Sequence, residues 1–242
     1  MKVNVLGTLV DNITREQAKS TFFAFLSSGK TNTIYTPNAE ICMEAYQNST
    51  FREVLNRGTL VIPDGQGVVL ASRILKTPVK EKVGGFKLTL SIFESNQKVS
   101  CYLLGSKPGV TDKAVKIINE KYKNITICGH RNGYFSEKDI PGIIDDINQS
   151  HAQFLMVGLG APKQEIFIDQ HQDQINCAVI MGVGGSIDVI AGEVKKTPDI
   201  FVKLSLEWFH RLITQPKRLK RMLKIPVFLL ICLKKRIFQQ NY

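Results

Sequence analysis

Short apolar runs alternate with amphipathic stretches between residues 99 and 192. The apolar runs are VSCYLLG, NITICG, AQFLMVGLG and CAVIMGVGG, and each is followed, directly or after a loop, by a segment of helical period. Continuous apolar strands that alternate with helices are typical of a parallel sheet covered on both faces. The pattern therefore predicts an α/β fold, a Rossmann-like parallel sheet with helices on both faces.

The first half of the chain is less regular, but two of its junctions have the same form. TNTIYT runs into PNAEICMEAYQ, and GTLVIPD runs into GQGVVLASRIL. Ligands of open parallel sheets bind beyond the carboxyl ends of the strands. Residues that follow predicted strands are therefore candidates for a binding site, namely Thr36, Asn38, Asp64, Gly105, Ser106, Gly160, Gln164, Gly184, Gly185 and Asp188.

Asp64 is the strongest single candidate for a catalytic residue. It ends an apolar strand and lies between Pro63 and the sequence Gly-Gln-Gly. A lone carboxylate in that place suits a general base that deprotonates a hydroxyl group. The alternative is a helix N-cap for a helix that begins at Gly67, a frequent role of aspartate.

The segment GVGGSID is the best candidate for anion binding. Glycines between a strand and a helix let backbone N–H groups approach a phosphate. A tight turn without a ligand explains the same glycines equally well. Asp188 fits either a hydrogen bond to a ribose or base, or an acid that the helix dipole favours. The segment is neither a Walker A loop nor a GxGxxG motif.

No metal or redox cofactor is expected. The four histidines are scattered, and the chain has no Asp-x-Asp pair to hold a divalent ion on a diphosphate. A diphosphate substrate would then be neutralised by backbone N–H groups and by Arg or Lys. A nicotinamide-dependent oxidoreductase needs GxGxxG in its first strand–helix turn, which the N-terminal segment lacks.

The C-terminal segment has a different composition. From residue 203 onward ten Lys or Arg stand against one acid, whereas the rest of the chain is close to neutral. The periodicity predicts two or three short basic amphipathic helices, interrupted at Pro216 and Pro226. We therefore expect an α/β domain over residues 1–195 and a basic helical appendage over residues 196–242. Such helices suit an anionic membrane surface, and the absence of an RNP-like motif argues against nucleic acid.

The sequence predicts a cytoplasmic protein that is peripheral on the inner face of the membrane. The N-terminus has no apolar stretch of signal-peptide length, and the longest apolar run, residues 225–233, is shorter than the ~20 residues that span a bilayer. Five scattered cysteines without a CxxC pair suit reduced thiols.

Several motifs together resemble one enzyme family. TPNAEI, LVIPDGQGVVLASRIL, LLGSKPGV, VGLGAPKQE, GVGGSIDVIAGEVKKTP and LEWFHRLITQPKRLKRM occur in the order typical of WecG/TagA/CpsF glycosyltransferases, over nearly the whole chain. The resemblance implies a metal-independent, inverting enzyme without a cofactor. It implies transfer of N-acetylmannosamine or a related sugar from a UDP-sugar to the 4-hydroxyl of a polyprenyl-diphosphate-linked N-acetylglucosamine, in cell-surface polysaccharide synthesis.

The resemblance also implies roles for individual residues. Asp64 resembles the catalytic base, with Thr36 as its companion, and a homo-oligomer is possible. Lys87 departs from the family pattern, which often has an acid there, so the sugar specificity stays open. The alternative is a non-catalytic α/β module with a basic tail for membrane or nucleic acid. The UDP-sugar is expected at Asn38, Gln66, Gly105, Tyr134, Gln164, Gly184, Gly185 and Asp188, and the acceptor diphosphate at Arg211, Arg218 and Arg221.

Overall fold

The computed structural model describes residues 1–194, 197–198, 200–201 and 223–239. Two single-turn 3₁₀ helices, Glu137–Asp139 and Gln172–Gln174, accompany the regular elements. The strands and helices in chain order are β1 (Lys2–Val5), β2 (Thr8–Asp11), α1 (Arg15–Leu26), β3 (Asn32–Tyr35), α2 (Ala39–Gln47), α3 (Ser49–Asn56), β4 (Leu60–Val61), α4 (Gln66–Ile74), α5 (Gly85–Phe93), β5 (Val99–Gly105), α6 (Val110–Lys121), β6 (Ile125–Arg131), α7 (Ile140–Gln149), β7 (Phe154–Gly158), α8 (Lys163–His171), β8 (Val179–Gly182), α9 (Ser186–Ile190) and α10 (Lys224–Gln239).

Strands β3 to β8 form one parallel sheet in the order β4-β3-β8-β7-β5-β6, which confirms the predicted fold class. The central strands are buried almost throughout because helices cover both of their faces. In β6, which has one neighbouring strand, only Ile125 is buried, and exposed and half-buried positions alternate after it. The N-terminal segment is an antiparallel hairpin of β1 and β2, and β2 contacts β4 of this sheet.

Two hydrophobic clusters lie on the two faces of the sheet. Alternate residues of β5 enter different clusters, Tyr102 and Leu104 one of them, Cys101 and Leu103 the other. The first cluster includes side chains of α2, α3, α4, α7, α8 and α10, and the second those of α1, α5, α6 and α9. This arrangement follows from the alternation of side chains along a strand.

Helix α10 is part of the folded body. Phe228 and Cys232 are fully buried in the first cluster. Lys224 Nζ lies 2.8 Å from Glu44 Oε2 of α2. The predicted interruption at Pro226 is wrong, since α10 begins two residues before it. Proline is tolerated there because the N–H groups of a first helical turn have no intrahelical partner.

Most of the predicted appendage, including its boundary at residue 195, lies outside the described residues, so the division into two domains stays a prediction. Among the helices that are described, none combines the length and the apolar character that crossing a membrane requires.

Candidate active site

Asp64 follows the carboxyl end of β4, and its carboxylate contacts the N-terminus of α5. Its Oδ2 accepts a hydrogen bond from the Gly85 N–H at 3.2 Å, and its own N–H donates to the Pro37 carbonyl at 3.2 Å. Gly85 is the first residue of α5, where the helix dipole favours a negative charge. The N-cap alternative is wrong for Asp64, because the N-cap of α4 is Gly65 and no side chain caps that helix.

Thr36 directly follows β3, the strand that pairs with β4. Its buried hydroxyl donates to the Gly182 carbonyl at 3.2 Å. A Cβ atom on Gly85 would lie 3.1–3.2 Å from three Thr36 side-chain atoms. Gly85 therefore contacts both predicted catalytic residues. Sequence reasoning missed it, although two successive glycines before a segment of helical period are visible in the sequence.

Asn38 is the N-cap of α2. Its Oδ1 accepts hydrogen bonds from the N–H groups of Glu40 at 2.9 Å and Ile41 at 3.1 Å. These bonds satisfy two donors that the helix leaves unpaired. Gln66 is half-buried as the first residue of α4. The structure therefore assigns Asn38 a part in orienting α2 at this edge of the sheet.

Gln164 supports the glycine turn that follows β8. It is only 2% exposed. Its Oε1 accepts from the Gly184 N–H at 3.0 Å, and a Cβ on Gly182 would lie 2.8 Å from its Nε2. Gly184 has φ +51°, Gly185 is exposed, and Asp188 is half-buried in α9. Gln164 therefore supports the turn from its buried side.

The turn after β5 is strained. Gly105 has φ +147°, and a Cβ atom there would lie 2.5 Å from the carbonyl carbon and oxygen of Gly158. Ser106 also has a positive φ, +59°. Its buried hydroxyl makes no hydrogen bond with any residue that the structure describes. Backbone strain and an unpaired buried hydroxyl are features that concentrate at functional sites.

A cavity of about 370 Å³ adjoins this turn, beyond the end of β6. Tyr134, 68% exposed, is one of its walls. The Gly133 N–H donates to the Ser106 carbonyl at 2.9 Å, which ties the cavity to the strained turn. The Tyr102 hydroxyl donates to the Asp146 carboxylate, and burial raises the pKa of Tyr102. The cavity is lined by Thr111, Asp112, His130, Arg131, Asn132, Tyr134 and Asp146.

The sequence model of the glycosyl transferase WecG/TagA/CpsF family matches residues 3–242. The chain belongs to this family. It is 36% identical over 234 residues to the N-acetylglucosaminyldiphosphoundecaprenol N-acetyl-beta-D-mannosaminyltransferase of Staphylococcus aureus strain NCTC 8325. The alignment covers 94% of this chain and 91% of that relative. The protein of the same name from strain MRSA252 matches with the same identity and coverage. The chain is therefore a glycosyltransferase.

In this WecG/TagA/CpsF glycosyltransferase, most of the predicted site residues lie along one edge of the sheet. A chain of contacts runs from Asp64 through Gly85 and Thr36 to the Gly182 carbonyl. They continue through Gln164 to Gly184, whose carbonyl lies 3.0 Å from where a Cβ on Gly158 would be. Gly158 in turn packs against Gly105. The strand order explains this run, since the strands that carry these residues are neighbours.

Three predicted residues of the transferase, Arg211, Arg218 and Arg221, lie outside the described residues. Their role at the acceptor diphosphate stays a prediction, as do the roles of the other site residues. Within the described ranges no three His, Cys, Asp or Glu side chains gather as a metal site would need. The metal-independent chemistry likewise stays a prediction.

Proposed function

We propose that this glycosyltransferase transfers N-acetylmannosamine from UDP-N-acetylmannosamine to the 4-hydroxyl of a polyprenyl-diphosphate-linked N-acetylglucosamine, with inversion and without a metal ion. The observation that carries the proposal is the 36% identity, over 94% of the chain, to a relative named for this transfer. Both sugars and the lipid are proposed by likeness to that relative.

The proposed reaction is a single displacement with Asp64 as general base. The Asp64 carboxylate accepts the proton of the acceptor hydroxyl while that oxygen forms a bond to the anomeric carbon. The bond between the anomeric carbon and the diphosphate breaks, and UDP leaves with the electron pair. The Gly85 N–H and the first turn of α5 support this role because they hold the carboxylate in one orientation.

Two further regions are proposed to hold the donor. Backbone N–H groups of the exposed turn around Gly185 are proposed to neutralise the diphosphate of the donor, while Arg211, Arg218 and Arg221 are proposed to neutralise the diphosphate of the acceptor. The uracil is proposed to lie on the exposed Tyr134 ring in the 370 Å³ cavity, which has room for a base. Asp188 is proposed to accept a hydrogen bond from the ribose.

Mass spectrometry of a synthetic polyprenyl-diphosphate N-acetylglucosamine, incubated with the protein and a panel of UDP-sugars, tests the proposal. We expect addition of one N-acetylhexosamine from UDP-N-acetylmannosamine, also with EDTA present. Transfer of another sugar would overturn the donor, inhibition by EDTA would overturn the metal independence, and no transfer from any donor would overturn the reaction.

The family assignment and the name of the relative argue against the alternative read from the sequence, a non-catalytic module with a basic tail. Ligand at a hundred times its dissociation constant stabilises a protein by about 2.7 kcal/mol. We expect UDP to raise the melting temperature of this transferase, and no rise with UDP would overturn the proposed donor.

We also propose that α10 docks the transferase on the cytoplasmic face of an anionic membrane, where a lipid-linked acceptor lies. While one side of α10 packs on α2 and α4, its outer face carries exposed large apolar residues, with Lys234 and Lys235 also exposed. An exposed apolar patch rimmed by cations is typical of an interfacial helix. The outer face of α10 consists of Val227, Leu230, Leu233, Ile237 and Phe238.

Leu230→Glu combined with Ile237→Glu is expected to reduce binding to vesicles with anionic lipid at least tenfold. Each change removes an apolar side chain that would be buried in the membrane interface, which costs about 1.5–3 kcal/mol of binding free energy. Each new carboxylate also repels the anionic lipid head groups. The residues are 64% and 52% exposed, so folding should be kept. Vesicle co-sedimentation measures the binding.

Lys121→Glu is the matched control for this variant. It makes the same change in net charge, but on α6, which covers the opposite face of the sheet. Equal loss of binding in both variants would show that overall charge, and not the outer face of α10, binds the membrane.

A further inference from the structure

Glu165 is a buried carboxyl group directly behind the turn proposed to bind the donor. It is 1% exposed and follows Gln164 on α8. Its Oε1 accepts from Gln164 Nε2 at 2.8 Å. Its Oε2 is buried and makes no hydrogen bond within the part of the chain that the structure describes. A buried carboxyl with one oxygen unsatisfied lowers stability, so its presence calls for a physical reason.

Among the residues that the structure describes, Glu165 forms no ion pair. The Tyr35 hydroxyl reaches the backbone carbonyl of Glu165 at 3.5 Å, not its carboxyl group. Asp169, one turn further along α8, is engaged with Arg57 through two hydrogen bonds. Burial raises the pKa of Glu165, while the hydrogen bond from Gln164 acts in the opposite direction.

The hydrogen bond from Gln164 to Glu165 determines which way the Gln164 amide faces. A side-chain amide has a donating NH₂ group and an accepting oxygen. Because Glu165 Oε1 accepts from Nε2, the amide oxygen is left for the Gly184 N–H, which it accepts at 3.0 Å. In the reversed orientation the amide NH₂ group would face the Gly184 N–H, so that a donor meets a donor. The amide oxygen would face Glu165 Oε1, so that an acceptor meets an acceptor. The accepting oxygen of Glu165 thus selects the orientation that holds Gly184.

We propose that Glu165 is a positioning residue for the donor site, acting through Gln164 to hold the turn at Gly184 in its left-handed conformation. This inference rests on the proposed function for the part that concerns UDP. It makes Glu165 a contributor to donor binding without contact to the donor.

Hydrogen–deuterium exchange of the unliganded protein tests the proposal without any ligand. Glu165→Gln keeps an accepting oxygen, whereas Glu165→Met has a similar length and none. We expect exchange at the 183–186 turn to rise about fivefold in Glu165→Met and less than twofold in Glu165→Gln, since about one net hydrogen bond is lost in the first variant. Peptides of α6 report any global loss of stability.

Asp169→Asn is the control on the same helix. It weakens the surface pair with Arg57 but does not touch Gln164. Unchanged exchange at the turn in Glu165→Met, or an equal rise at the turn and in α6, would overturn the positioning role. An equal rise in exchange at the turn in Asp169→Asn would also overturn the positioning role.

UDP binding extends the test to the donor site. Glu165→Met should raise the dissociation constant of UDP and the donor KM about tenfold, with the acceptor KM unchanged. Added to Gln164→Leu, it should have no further effect, because it acts through Gln164. If the losses of UDP affinity in Glu165→Met and Gln164→Leu were additive, the action of Glu165 through Gln164 would be overturned. Wild-type protein that did not bind UDP would overturn the proposed function, and the exchange experiment would still decide whether Glu165 holds the turn.

Discussion

Asp64→Asn is expected to lower the rate of sugar transfer by about 10²–10⁴-fold, the usual contribution of a general base. The amide oxygen of asparagine still accepts the Gly85 N–H, so the geometry at the start of α5 is kept. Asparagine takes up no proton at neutral pH, and the acceptor hydroxyl is no longer activated. Steady-state rates with saturating donor and acceptor measure the effect.

Asp169→Asn is the control for this variant as well, because Asp169 is paired with Arg57 away from the site. It should transfer at nearly the wild-type rate. UDP affinity should be unchanged in Asp64→Asn, since the carboxylate acts on the acceptor. Transfer by Asp64→Asn within a few-fold of wild type would remove Asp64 from the role of base.

Gly105→Ala is expected to destabilise the protein by about 2–5 kcal/mol. The added Cβ would lie 2.5 Å from backbone atoms of Gly158, which cannot move without separating β5 from β7. Overpacking costs about 1–3 kcal/mol, and a positive φ adds about 1–2 kcal/mol for alanine. In a protein of this size the melting temperature should fall by roughly 10 °C.

Gly29→Ala separates the two contributions to that loss. Gly29 also has a positive φ, +70°, but nothing lies within 4 Å of a Cβ atom there. It should cost only about 1–2 kcal/mol by the backbone term. Equal melting temperatures for the two variants, measured by calorimetry, would show that strands β5 and β7 tolerate a side chain at their closest approach.

The fold class could be predicted because its signal is local. The run VSCYLLG coincides with β5, and the stretches that follow β5, β6 and β7 form α6, α7 and α8. Apolar strands that alternate with amphipathic helices leave few topologies. The break predicted at Pro226 failed for an equally local reason, since proline ends a helix in its interior but not in its first turn.

The candidate site could be predicted only in part. Asp64 and Thr36 are visible in the sequence because polar residues end apolar strands there. Gly85, which contacts both, is 21 residues from Asp64 in the chain and follows no predicted strand. Glu165 follows no predicted strand and was not a candidate, and it is buried in contact with Tyr35, which lies 130 residues away in the chain.

The sequence by itself determined the family, the parallel α/β architecture and the identity of the carboxylate that ends β4, because composition, periodicity and motif order are carried by neighbouring residues. Only the tertiary structure decided that this carboxylate meets the start of α5, that Gln164 and Glu165 lie beneath the glycine turn, and that α10 packs on α2 and α4. These contacts join residues distant in the chain, and their geometry depends on strand order and packing.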